Sequence, residues 1–208
     1  DTPAPTEAPV ATEEPTAEPT AEAETSITRG TWTDGVYYNA TAGFNFTPPE
    51  NWLLADDEYI AQLVGVSKEM LGTEGEDLSD HEVVYDTFVQ NPDNGTNVFI
   101  IYQKVSMLGA LGIGIGDIMD EIVKQMGENT AMNCTYVGTT EQTLGSTDYQ
   151  CAEFDVDISG ITIKQYILVN KFMNYTTNIT ITAMASEPIE EFLPMFTSAQ
   201  TAMADCCG

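Results

Sequence analysis

Basic side chains are almost missing from this chain. Its 208 residues carry six Lys and Arg and one His against 33 Asp and Glu, a net charge of −27. A surface of that sign repels phosphate backbones and anionic lipid headgroups, which excludes nucleic-acid binding and polybasic membrane docking. The single histidine, His81, sits between Asp80 and Glu82 and cannot build a multi-histidine zinc site. No Gly-x-Ser-x-Gly elbow offers it a nucleophile to activate, so it reads as a solvated loop residue. No apolar run approaches the roughly 20 residues that span a bilayer. Gly109, Gly112, Gly114 and Gly116 fit neither the Rossmann nor the Walker spacing, so no phosphate cofactor is implied. No catalytic residue, metal site or cofactor is assigned.

The four cysteines, Cys134, Cys151, Cys206 and Cys207, lack metal-ligand spacing. With a turn at Gly145-Ser146, Thr140 faces Cys151 and Cys134 faces Asp157. That sets the two thiols roughly 20 Å apart along the ladder, too far for a disulfide. Vicinal Cys206 and Cys207 suit free thiols. The Asn-x-Ser/Thr triplets, including those at Asn39 and Asn178, read as by-products of polar strand faces.

What is present begins with "TPAPTEAPVATEEPTAEPTAEAET", residues 2–25, a stretch without Lys, Arg or any aromatic residue. Its prolines favour extended backbone and its carboxylates repel one another, so it cannot bury a core. Seven of the acids lie in residues 1–25, and the remainder still carries −20. Residues 1–27 read as a disordered acidic tether and 28–208 as one domain. A Pro/Thr/Ala/Glu tether ahead of a compact domain resembles the mature region of Gram-positive surface lipoproteins. That likeness implies an extracytoplasmic position on the outer face of the cell membrane, held there only by an N-terminal lipid anchor.

Along the domain, the pattern predicts two short strands around Tyr38 and Phe44–Phe46, the first interrupted at Asp34-Gly35. A helix follows, with Asp56 or Asp57 as cap, Leu63 on its apolar stripe and Gly72 as stop. A hairpin turns at residues 91–95, and a second helix is capped by Asp117. Residues 134–184 then read as a four-strand antiparallel meander split by Gly145-Ser146, Ser159-Gly160 and residues 170–174. On its second strand Asp155 faces Lys164 as an ion pair. A closing helix from Ser186, burying Ile189, Phe192, Leu193 and Phe196, is expected to break or kink at Pro194.

The order ββ-α-ββ-α-ββββ-α is that of an α+β protein. "YYNATAGFNFTPPENW" is similar to the opening motif of the PsbP-like (Mog-type) fold family, through Tyr38, Gly43, Phe44, Phe46, Pro49 and Trp52. The resemblance implies a three-layer αβα sandwich around a central antiparallel sheet, no catalytic site, and a role in protein binding or assembly. The expectation is therefore a non-catalytic cell-surface module, monomeric, with an unknown protein partner at the cell envelope. The alternative is an extracytoplasmic solute-binding protein or enzyme, with a carboxylate and aromatic pocket near Tyr102, Tyr136 or Tyr166. The apolar loop with Leu108, Leu111, Ile113 and Ile115 is the candidate partner-contact surface, since exposed apolar patches often mark interaction sites.

Overall fold

The structure, a computed structural model, describes residues 26–39, 42–105, 113–129, 133–172 and 174–199. Strands β1 (Thr31–Thr33) and β2 (Val36–Asn39) form a hairpin. Asp34 and Gly35 between them take φ of 50° and 77°, the positive pair that a tight two-residue turn demands. The interruption read in the first strand is thus a turn between two strands. β3 (Phe44–Phe46) pairs with β2, and Pro48-Pro49 prevents its continuation.

A two-residue strand, β4 (Leu53–Leu54), leads into helix α1 (Asp57–Val64). Asp56 caps α1 by accepting from the Tyr59 N–H at 2.8 Å. The helix ends well before Gly72. Gly65 adopts φ 74° and closes it, and Lys68–Leu71 is a separate 3₁₀ turn. Leu63 consequently lies exposed instead of joining the core.

Strands β5 (Val83–Gln90) and β6 (Asn97–Lys104) form the expected hairpin. Helix α2 (Ile115–Glu128) starts two residues before Asp117, whose carboxylate accepts from the Gly114 N–H at 2.8 Å. The meander stands as read: β7 (Asn133–Leu144), β8 (Thr147–Ile158), β9 (Ile161–Phe172) and β10 (Tyr175–Met184). One register differs. An extra residue at Val137 makes a bulge, so Cys134 faces Val156 and not Asp157, while Thr140 still faces Cys151.

No closing helix forms among the described residues. Pro194 has no N–H to donate and disfavours helical backbone at Leu193. The segment collapses into 3₁₀ turns at Ile189–Glu191 and Leu193–Met195, then extends as β11 (Phe196–Ser198) against β3. Ile189, Phe192 and Phe196 are buried all the same. Only the geometry that delivers them differs.

Two sheets result, β1-β2-β3-β11 and β4-β5-β6-β10-β9-β8-β7. Neighbouring residues Phe88, Phe99, Thr180, Ile167 and Ala152 run across the large sheet in one row, hence on one face. Phe88 packs with Ile60 and Ala61 of α1, and Ala152 with Met119 of α2. Both helices therefore cover the same face. The other face carries Ile100, Ile179, Leu168 and Cys151 and is covered by Tyr37, Phe44 and Phe46 of the small sheet. The layers are helices, seven strands, four strands. The expected αβα layering gives way to this one because the last segment is strand instead of helix. The main core also takes in Ile27, one residue inside the stretch read as tether: it is buried and its C=O accepts from the Leu78 N–H at 2.8 Å.

Candidate functional site

β5 pairs with β6 residue for residue until Tyr85, then skips one position before Thr87. The extra residue is Asp86. A bulge re-aims a side chain and leaves its own backbone unpaired, and here it drives the Asp86 carboxylate into the core, 2% exposed. Three donors meet it: the Tyr37 hydroxyl, the Asn39 amide at 3.1 Å and the Gly30 N–H at 2.9 Å. The Asp86 C=O is taken by Arg29, whose guanidinium donates to it at 2.9 Å and 3.3 Å. Arg29 also reaches the Gly72 C=O at 3.3 Å and pairs with Asp57 at 2.7 Å. Tyr102 lies 3.3 Å, oxygen to oxygen, from Tyr37.

Burial raises the Asp86 pKa above the ordinary 3.8, outweighing the Tyr37 and Gly30 hydrogen bonds and the Arg29 charge that pull it down. The same desolvation drives the Tyr37 and Tyr102 phenols well above their ordinary range. Asn39, one of the glycosylation-type triplets, is buried in this network. Chemically the cluster is a closed set. Its acceptors are filled by donors from the N-terminal segment and the small sheet, so it fastens those two parts to β5.

Directly against it lies a cavity of about 230 Å³ bordered by Arg29, Trp32, Asp57, Glu74, Asp86 and Thr87. The Trp32 indole donates to Thr87 Oγ1 at 3.1 Å, which fixes the ring at the cavity edge. Across Leu54 and Ala55 a second cleft of about 260 Å³ opens, lined by Leu53, Leu54, Tyr59, Phe88 and Gln90. Leu53 is 61% exposed, Leu54 49% and Tyr59 46%. Leu63, one turn beyond Tyr59 on α1, is exposed as well. Asp56 lines the same cleft, and Asp57 and Glu58 follow it in sequence.

Of the loop residues singled out in the sequence, Leu108 and Leu111 lie outside the described residues. Ile113 is 40% exposed, and its C=O accepts from Lys171 at 2.9 Å. Ile115 is half-buried against the cluster around Met119. The three tyrosines do not gather around one pocket: Tyr102 and Tyr166 lie under the small sheet, whereas Tyr136 shares the helix side with Phe154. Lys164 pairs with Glu153 and, at 3.3 Å, with Asp155, so that acidic strand face is an ion-pair surface. Cys151 is a free thiol pushed up to about 12 by burial, hence chemically quiet. No group of three His, Cys, Asp or Glu among the described residues is placed to hold a metal. No helix among them is long and apolar enough to cross a membrane. The residues that the sequence reading missed had signals: Asp86 is a lone charge inside Val83–Gln90, and Leu53-Leu54 is an apolar pair set against three acids.

No protein-family model matches the sequence, and no curated protein matches it. Among solved structures the chain is similar to the solution structure of cyanobacterial PsbP (CyanoP) from Synechocystis sp. PCC 6803, with 11% identity and a TM-score of 0.49. That match covers 85% of this chain and 96% of the other. It is similar also to a crystal structure from Bacteroides thetaiotaomicron VPI-5482, with 13% identity and a TM-score of 0.42, over 80% of this chain and 49% of that one.

Proposed function

We propose that this chain is a non-catalytic, PsbP-like protein-binding module of the cell surface, held outside the membrane by its acidic N-terminal tether. The observation that supports it most is the exposed patch of Leu53, Leu54, Tyr59 and Leu63 on a protein of net charge −27. A chain so rich in carboxylates has ample polar side chains for its surface. Large apolar side chains clustered over a cleft and bordered by acids are the anatomy of an interaction site. The buried carboxylate cluster supports the same reading, because its polar atoms are engaged within the fold.

The competing reading, a solute binder or enzyme, draws on the cavity beside Trp32, Asp57 and Glu74. Four hydrogen bonds already occupy the Arg29 guanidinium that borders it, which speaks against its holding an anionic solute. The protein-binding reading is favoured.

A photo-cross-linking side chain at Tyr59, in cells of the source organism, tests it. The expected result is a discrete protein adduct from position 59 and none from Ile161, which is more solvent-facing still on the far β8–β9 turn. Equal labelling from both positions, or none from Tyr59, would remove the patch as a binding site.

A further inference from the structure

The cavity beside Trp32 and the apolar cleft at Tyr59 share a wall, Leu54 and Ala55, and each of these residues lines both. The two hollows differ in chemistry. Leu53, Tyr59 and Phe88 make the cleft apolar. The cavity sets the carboxylates of Asp57, Glu74 and Asp86 and the indole of Trp32 against one cation, Arg29.

Part of that charge is already spent inside the fold. The Asp86 carboxylate is filled by Tyr37, Asn39 and the Gly30 N–H. Arg29 is engaged with Asp57 and with the C=O groups of Gly72 and Asp86. What remains is acidic. Arg29 reaches only Oδ1 of Asp57, and exposed Glu74 makes no hydrogen bond or ion pair among the described residues. Trp32 is held by Thr87 Oγ1 and by ring contacts with Tyr37 and Phe46, so the indole is in place before anything binds. Indole is the side-chain ring that attracts a cation most strongly. The surrounding chain has the same sign: residues 50–64 hold Glu50, Asp56, Asp57 and Glu58 and no Lys or Arg.

We propose that the occupant of this surface is a basic protein segment, which lays an apolar side chain in the Leu53–Tyr59 cleft and a neighbouring Lys or Arg in the cavity beside Trp32 and Glu74. This partner class presupposes the β4–α1 patch as the binding surface. Charge complementarity decides the occupant. A field of this sign steers a basic segment inward. It repels an anionic membrane surface, and equally a second copy of a chain with 33 acidic residues against six basic ones. The shared wall at Leu54 and Ala55 lets one short segment reach both hollows, since side chains two positions apart lie on one face of an extended chain.

An array of random octapeptides probed with the labelled full chain tests this. The enriched sequences should carry a Lys or Arg within about three positions of a large apolar residue, and their affinity should fall as salt screens the attraction. Glu74→Lys should weaken the best of these peptides about tenfold. Asp120→Lys, the same change of charge at an exposed position on α2, should leave the affinity within about twofold. Titrating that peptide into Trp52→Phe, where Trp32 is the one remaining indole, should change the fluorescence. Enriched peptides that lack basic residues, need Tyr59 and ignore Glu74→Lys would overturn the proposal while leaving the protein-binding patch standing. Basic peptides weakened equally by Asp120→Lys, an unchanged Trp32 signal, or no enriched sequence would overturn it as well. Peptides indifferent to Tyr59→Asp would remove the patch itself.

Discussion

Asp86 accepts from Tyr37, Asn39 and the Gly30 N–H, and an amide in its place would turn one NH₂ group toward donors. Asp86→Asn should therefore destabilise the protein by about 2 kcal/mol, the cost of leaving a buried polar group unsatisfied. The pH dependence has a fixed sign. Because burial raises the Asp86 pKa above its unfolded value, its contribution to stability is fully present below pH 3.8 and lost as pH rises through the raised value. Urea unfolding across acidic pH should show this falling limb in the difference between the natural chain and Asp86→Asn. A flat difference would show that Asp86 titrates alike in both states. A charge inside an apolar strand run was visible in the sequence. The bulge that buries it was not, since it depends on how β5 registers against β6.

Among the elements, the meander from Asn133 to Met184 was the most legible, because period-two alternation and Gly-containing turns act locally and agree with one another. The closing segment was the least. Ile189, Phe192 and Phe196 recur at helical spacing, yet Pro194 withholds a donor and β3 offers a free edge, so pairing with Phe46 wins. Phe196 then packs on Phe44 and Phe46 at centroid distances of 5.2 Å and 4.8 Å. Phe196→Ala should cost about 3 kcal/mol, as removal of a buried aromatic ring does, and should speed hydrogen exchange in β3 as well as β11. Exchange confined to β11 would mean that the small sheet does not depend on its last strand. Helix α1 was legible in its cap, Asp56, but not in its length. Gly65 ends it, and the apolar stripe drawn through Leu63 with its stop at Gly72 belongs to a longer helix that does not form.

At the scale of the whole molecule, structural and interactive roles fall on different groups. Buried polar side chains fasten the N-terminal segment and small sheet to β5, while exposed Leu53, Leu54, Tyr59 and Leu63 lie together at the β4–α1 edge. That division was only partly legible in the sequence. The excess of acid pointed to a surface that avoids nucleic acid, but which apolar residues remain outside depends on strand order. The most direct test compares Tyr59→Asp with Asp86→Asn in thermal melts and in saturable binding of the labelled protein to isolated envelopes of the source cells. The account predicts that Tyr59→Asp loses binding with stability within about 1 kcal/mol of the natural chain. Asp86→Asn should melt earlier yet bind normally at temperatures where it is folded. Normal binding by Tyr59→Asp together with lost binding by fully folded Asp86→Asn would contradict it and place the functional site at the buried carboxylate.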